Sequence, residues 1–299
     1  MFFLNFRRLP NTDYNNLSSN NVIPIGRAFY LNGSGGKIGV WHILPSELSK
    51  EYRSNGVHPT NDELEKTLSQ RNYKIIFYAH GNSFDRTFYH RVELYNLLSN
   101  MNFHVICFDY RGYGDSDGSP TEPGIVSDAR VVYDYIQSKV GNNPIIAWGH
   151  SMGTGVCCKV VRDLSVEEKA PLGLILESPF NNLQDAVVNH PIFTAFSWMN
   201  KTMVRYIFIK PLNSVGLTML SDERIKLITC PILILHAEDD KILPAKLGKK
   251  LYEAARSAKR QVEYQEFSAS HQYGHKFICR APDLSNIIQA FVEKLSKSQ

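Results

Sequence analysis

A serine hydroxyl is a weak nucleophile until its surroundings change it, and one stretch of the chain supplies such surroundings: Gly149-His150-Ser151-Met152-Gly153. An apolar run of strand length, residues 145–148, leads into this pentapeptide, and a helix-like segment follows at once. The pattern is a nucleophile elbow, with the serine on a sharp turn between strand and helix. A residue there sits at strained dihedrals, and side chains at the two flanking positions would collide with the neighbouring strand and helix, so both must be glycine. Ser151 is thereby presented at the carboxyl edge of a sheet, above a helix N-terminus that favours negative charge nearby.

Such a serine reacts when a base takes its proton and an acid holds that base in one tautomer. Along a chain built around an elbow of this kind, the order is serine, acid, histidine. Residues 231–236 form an apolar run that ends in Ala237-Glu238-Asp239-Asp240, so three carboxylates lie just past a strand's carboxyl end. Asp240 is the chosen acid, four residues beyond His236 and followed by Lys241-Ile242-Leu243-Pro244, a loop that leads into the next helix. Asp239 is the near alternative, and Glu177, ending the previous strand, occupies another position from which an acid can serve. The remaining carboxylates of the cluster read as solvated loop residues.

The base belongs on the loop after the last strand, where His271 and His275 both lie. His275 is favoured because Gly274 before it lets the backbone come close to the serine; His271 reads as a polar loop residue. His80 and His150 sit beside the site but lack the chain order for the base. Charge on the attacked carbonyl oxygen needs two backbone N–H donors. Met152, directly after the nucleophile, supplies one, and Asn82 in Ala79-His80-Gly81-Asn82-Ser83 supplies the other. Residues 109–116 read as a tight loop forming a wall of the site, with no catalytic role.

The elements that must hold these groups alternate as in a doubly wound, mostly parallel α/β sheet. Strand-like runs fall at 74–79, 104–109, 145–148, 172–177, 231–236 and, more weakly, 262–267; helical patterns fall at 87–99, 124–140, 154–164, 244–257 and 283–295. Nearly continuous apolar runs imply strands covered on both faces. Residues 1–36 read as a loosely held polar arm, 38–44 as an early edge strand and 45–71 as a charged helical or irregular excursion. The core is then 37–180 and 227–299. Between its halves, residues 181–226 replace a simple crossover with an insertion rich in large apolar residues, among them Ile192, Phe193, Phe196, Trp198, Met199, Met203, Tyr206, Ile207 and Phe208. A connection of this length and character is expected to cover the site as a helical cap.

Composition narrows the function. The 299 residues are 43% hydrophobic and 21% charged, which is globular composition, and one domain of this length buries a sizeable core. A net charge of +4, scattered along the chain, gives no footprint for nucleic acid. The five cysteines show no metal spacing and lie in apolar runs, so buried free thiols are expected, with no metal and no cofactor. No 18 consecutive residues are apolar, so no transmembrane helix is expected.

With these residues assembled, the chain resembles the lysophosphatidylserine and monoacylglycerol lipases of the α/β-hydrolase-domain proteins, the branch of the twelfth member. The resemblance runs over about residues 37 to 295. It rests on Gly39-Val40-Trp41-His42, His80-Gly81-Asn82, His90-Arg91-Val92-Glu93-Leu94-Tyr95, Phe108-Asp109-Tyr110-Arg111-Gly112, Trp148-Gly149-His150-Ser151, Leu176-Glu177-Ser178-Pro179-Phe180, His236-Ala237-Glu238-Asp239-Asp240 and Gly274-His275-Lys276. It implies an α/β-hydrolase fold with Ser151 as nucleophile, Asp240 as acid and His275 as base. It also implies a lipid ester substrate, contact with a membrane surface and association with the endoplasmic reticulum membrane. Two departures stand out: Met152 replaces the usual leucine after the serine, and the N-terminal membrane helix of family members has no counterpart, so a soluble or cytoplasmic protein is expected if the chain is complete. The expected activity is hydrolysis of acyl esters of monoacylglycerols and lysophospholipids through an acyl-enzyme. The alternatives are an acyl thioesterase that removes palmitate from proteins and a non-catalytic interaction protein built on the same fold.

Overall fold

The computed structural model describes residues 7–70, 73–191 and 199–297. Among these residues eight strands form one sheet in the order β1-β2-β4-β3-β5-β6-β7-β8. They are β1 (Gly26–Gly33), β2 (Gly36–Ile43), β3 (Ile75–Ala79), β4 (His104–Phe108), β5 (Ile145–His150), β6 (Gly173–Glu177), β7 (Ile232–Ala237) and β8 (Val262–Phe267). β2 runs antiparallel to both β1 and β4, and every pairing from β4 through to β8 is parallel.

The apolar runs behave as double-sided strands should. In β5, Ile145 and Ala147 pack on one face of the sheet, while Ile146 and Trp148 pack on the other. The first face is covered by α4 (Glu122–Lys139), α5 (Met152–Val166) and α10 (Ala245–Ser257), the second by α3 (Tyr89–Asn100) and α11 (Leu284–Lys297). Local signals set the helix starts. Thr121 caps α4, its side chain accepting from the Gly124 amide at 3.1 Å, and Pro123 follows in the first turn, where a missing N–H costs nothing. Two short helices, α1 (Ser46–Ser54) and α2 (Asn61–Lys66), occupy the charged excursion, and a capping box between Thr60 and Glu63 opens the second.

The N-terminal region differs from expectation. Residues 26–33, read as part of a loose arm, form the outer strand β1, which makes β2 an interior strand and not the edge. The preceding segment is also tied down. Trp41 Nε1 donates to the Tyr14 carbonyl at 2.7 Å, Tyr14 Oη donates to Asp85 at 2.6 Å, and Leu17 and Val22 enter the core. An edge strand with a half-exposed face carries no continuous apolar run, and Arg27, buried in β1, pairs with Glu65 at 3.1 Å.

In the insertion, α6 (Leu183–Asn189), α7 (Lys201–Val204), a π-helical turn (Arg205–Ile209), α8 (Lys210–Ser214) and α9 (Ser221–Arg224) are described. Ile192, Phe193, Phe196 and Trp198 lie outside the described residues. No helix among the described residues is long and apolar enough to cross a membrane.

Candidate active site

The strand order reverses direction between β3 and β5, since β4 is added on one side of β3 and β5 on the other. A crevice at the carboxyl ends of strands at such a switch point is where open α/β sheets bind ligands. The loop after β3 carries Asn82 and the turn after β5 carries Ser151, so both flank that crevice.

Ser151 has φ +54° and ψ −120°, the strained turn expected of an elbow. A Cβ on Gly149 would lie 2.5 Å from the Gly153 carbonyl oxygen, and one on Gly153 would lie 2.0 Å from the Ala79 oxygen. Those contacts are the steric reason for both glycines. The turn is secured by the Ser151 amide donating to the Glu177 carbonyl at 3.0 Å and by Thr154 Oγ1 donating to the Ser151 carbonyl at 2.6 Å.

Three side chains far apart in sequence come together in a line. His275 Nε2 lies 2.8 Å from Ser151 Oγ, and His275 Nδ1 lies 2.7 Å from Asp240 Oδ2. Asp240 is fully buried in its side chain, and its Oδ1 accepts from the amides of Ile242 and Leu243, both at 2.9 Å. Burial alone would push this carboxyl up, but the charge and hydrogen bonds of His275 and a hydrogen bond from His236 outweigh it and hold Asp240 well below the ordinary aspartate range. It is therefore ionised, as a partner of an imidazole N–H must be.

The alternatives fall elsewhere. Asp239 accepts from the Gly274 amide at 3.0 Å and so shapes the loop before His275. Glu177 accepts from Trp148 Nε1 at 3.0 Å, and burial pushes its carboxyl up to about 7 against that hydrogen bond. His271 is exposed and stacks on Tyr273. His80 is buried, with Nδ1 2.7 Å from the Gly81 oxygen and Nε2 3.2 Å from Asp109. His150 donates from Nε2 to the His275 carbonyl at 2.8 Å, fixing the backbone of the histidine that faces the serine.

The loop after β3 passes directly against the nucleophile, since a Cβ on Gly81 would sit 3.1 Å from Ser151 Cβ. The Asn82 side chain accepts through Oδ1 from Tyr113 Oη at 2.6 Å. Asn82 follows Gly81 in this loop, and Met152 starts α5 directly after the serine. The 109–116 loop does more than wall the site. Asp109 is buried and pairs with Arg86, and Tyr110 Oη donates to the His80 carbonyl at 2.9 Å, so this loop braces the one that carries Asn82.

Sequence reasoning passed over His236, whose Nε2 lies 3.3 Å from Asp240 Oδ2 and 2.8 Å from the Leu243 carbonyl. Its place at a strand's last turn before the acid was visible, but its direction was not. Of the five cysteines, four are buried thiols as expected and Cys279 is partly exposed.

An eight-stranded sheet with this connectivity and this elbow is an α/β-hydrolase. An alpha-beta hydrolase from Vibrio vulnificus matches it with a TM-score of 0.69 at 18% identity, over 98% of this chain and 88% of the other. Residues 70–224, a little over half of the chain, match the family model described as serine aminopeptidase, S33. The lysophosphatidylserine lipase ABHD12 of Xenopus tropicalis is 43% identical over 265 residues, which are 85% of this chain and 65% of that protein. The protein of the same name from Danio rerio is 39% identical over 297 residues, 98% of this chain and 76% of the other. The chain belongs to the ABHD12 family of α/β-hydrolases. It spans just under two thirds of the length of the Xenopus relative.

Proposed function

We propose that the protein is a serine hydrolase that cleaves acyl esters of lysophospholipids of the lysophosphatidylserine type, and of monoacylglycerols. The observation that carries this reading is the unbroken file from Ser151 Oγ through His275 to the ionised Asp240 carboxylate. Its relatives' name supports the substrate class.

In this mechanism Ser151 Oγ attacks the ester carbonyl carbon while His275 Nε2 takes the hydroxyl proton. Asp240 holds the Nδ1–H and stabilises the imidazolium that forms. The carbonyl oxygen, now an oxyanion, accepts from the backbone amides of Asn82 and Met152. As the tetrahedral intermediate collapses, His275 gives its proton to the departing glycerol oxygen, which leaves as an alcohol. A water then attacks the acyl-enzyme, losing its proton to His275, and the fatty acid departs as Ser151 recovers its hydrogen. Residues 181–226 act as the cap. His190 lies at the end of α6, and Met203, Tyr206 and Ile207 beyond it present apolar surface for the acyl chain or a membrane.

Hydrolysis of lysophosphatidylserine, monoolein, a soluble short-chain ester and a palmitoyl-cysteine peptide should be compared in wild type and Ser151→Ala. The variant should lose about 10⁴- to 10⁶-fold in turnover, and a fluorophosphonate should label Ser151 alone. Undiminished hydrolysis in Ser151→Ala defeats the mechanism. Preference for the thioester substrate makes the protein a depalmitoylating enzyme instead, and an unreactive Ser151 in a folded chain makes it an interaction protein.

A further inference from the structure

Two buried arginines, Arg86 in the loop that carries Asn82 and Arg91 in the helix that follows it, are treated differently. Arg86 is buried and compensated, pairing with Asp109 and with Asp115. Arg91 is equally buried, yet among the described residues no carboxylate pairs with it. Its guanidinium is held by backbone carbonyls and lies 5.9 Å from the Phe88 ring centre. Nη1 donates to the Asp85 carbonyl, and Nη2 donates to those of Ser83 at 2.6 Å and Gly81 at 3.2 Å, while Nε has no partner.

That placement is costly on two counts. Arg91 lies in the first turn of α3, at the positive end of the helix dipole, and that turn contains no acidic residue. A buried charge without a counter-charge is also strongly disfavoured. Its field reaches the neighbours: burial first, and then the Arg91 charge, lower the proton affinity of His80 and His90.

The three carbonyls show what the cation does. A trans peptide is planar, so its C=O and N–H point in opposite directions, and the chain has no cis bond among its described residues. The carbonyl of Gly81 belongs to the same peptide group as the amide of Asn82. Holding that oxygen on Arg91 Nη2, with His80 Nδ1 2.7 Å from it as well, turns the Asn82 N–H the other way, towards the side where Gly81 passes against Ser151. A cation on the oxygen also polarises the peptide and strengthens its N–H as a donor. The same geometry holds further along the loop, where the Asp85 carbonyl faces Arg91 and the Arg86 amide on the same peptide donates to Asp109 at 2.7 Å.

We infer that Arg91 is a positioning residue for the oxyanion hole: it helps to fix the Gly81–Asn82 peptide and to polarise its N–H. This inference rests on the Ser151 mechanism above and goes beyond it, because Arg91 touches neither the triad nor the substrate.

The test uses the full chain with Arg91→Gln and Arg91→Lys, a soluble ester, and a ¹³C-labelled trifluoromethyl ketone whose adduct with Ser151 carries an oxyanion. In Arg91→Gln, kcat should fall by about ten- to a hundredfold, short of the 10²–10³ typical of deleting a donor itself, with KM changed less than about twofold. Arg91→Lys should fall between Arg91→Gln and wild type. The hemiketal oxyanion of Arg91→Gln should take up its proton at higher pH than in wild type. An unchanged kcat, or a lowered kcat with an unmoved hemiketal titration, overturns the inference. If neither variant folds, the wild-type chain decides. The Arg91 guanidinium protons should exchange slowly with water and shift in the NMR spectrum as the hemiketal ionises, and an unmoved signal overturns the proposal. A wild-type chain that neither hydrolyses the ester nor forms the adduct defeats the Ser151 mechanism; an active wild type with indifferent variants defeats only the role of Arg91.

Discussion

The two sides of the reaction site are built on opposite principles. Behind Ser151, the loops after β3 and β4 are braced by buried polar contacts: Arg86 with Asp109 and Asp115, Tyr14 with Asp85, and Tyr113 with Asn82. On the other side, the described residues of 181–226 form short helices and one helical run over 201–214 interrupted by a π turn, and they expose Met203, Tyr206, Ile207, Val215 and Leu220. This side is fastened near its ends. Glu122 pairs with Arg224 and accepts from the amides of Thr218 and Met219 at 2.6 and 2.9 Å, and Asp222 accepts from Asn182 at 2.8 Å. The inner wall must keep donors and acceptors in place to within a few tenths of an ångström, and dense hydrogen bonding does that. A surface proposed to meet flexible acyl chains needs area and little else.

If that contrast is right, the inner wall tolerates no added atom. Gly153→Ala places a carbon 2.0 Å from the Ala79 carbonyl oxygen, which belongs to a strand and cannot withdraw. A loss of more than about 4 kcal/mol is expected, seen as failure to accumulate folded protein or as a collapse of Tm. A folded, active Gly153→Ala would break the comparison at its strongest point.

Glu177 tests the same wall with an effect whose size depends on pH. Burial raises its carboxyl from the ordinary 4.5 to about 7, so the folded chain keeps this proton where the unfolded chain has lost it. The cost of ionising it in place accrues as pH climbs from 4.5 to about 7 and is constant above that. Glu177→Gln keeps an acceptor for Trp148 and removes the charge. It should raise stability by up to about 3 kcal/mol at pH 8, with the gain shrinking below pH 7 and gone near pH 4.5. Urea unfolding at pH 5 and pH 8 measures the difference, and an equal effect at both pH values contradicts the assignment.

The two principles also explain what the chain disclosed before its coordinates. β3 to β7 were legible because strands buried on both faces read as unbroken apolar runs, and β5 placed Ser151 within a motif that sterics impose. The places of Asp240 and His275 beside Ser151 were legible from chain order and strand-end placement, with Gly274 favouring His275 over His271, since the topology dictates which strand ends can reach the elbow. β1 was not, because an edge strand mixes Arg27, Tyr30 and Asn32 into its pattern. His236 and Arg91 were printed in recognisable stretches, yet a role that consists of reaching a distant carboxylate or three loop carbonyls has no local signature. A cation in the first turn of a helix was the single hint, as it runs against the dipole.

On the outer side the expected effects are smaller. Glu122→Gln leaves Arg224, largely buried, without its counter-charge, which should cost about 2 kcal/mol. If the anchor holds the cap over the site, KM for a long-chain monoacylglycerol should rise while hydrolysis of a soluble short ester stays near wild type.

The smallest change isolates the apolar surface itself. Tyr206 and Ile207 are 68% and 50% exposed, within the π-helical turn Arg205–Ile209 and close to Lys210, whose ammonium lies 4.8 Å from the Tyr206 ring centre. Exposed side chains with few neighbours contribute within about 0.5 kcal/mol to folding, so the double change Tyr206→Ser with Ile207→Ser should leave Tm where it was. The same change removes apolar area beside a cation, a pairing suited to the interface of an anionic lipid layer. Turnover of lysophosphatidylserine presented in vesicles should therefore fall several-fold, while turnover of a soluble ester is untouched. Equal loss on both substrates would mean that this turn supports the inner wall after all, and the division between a braced interior and an apolar exterior would have to be redrawn around it.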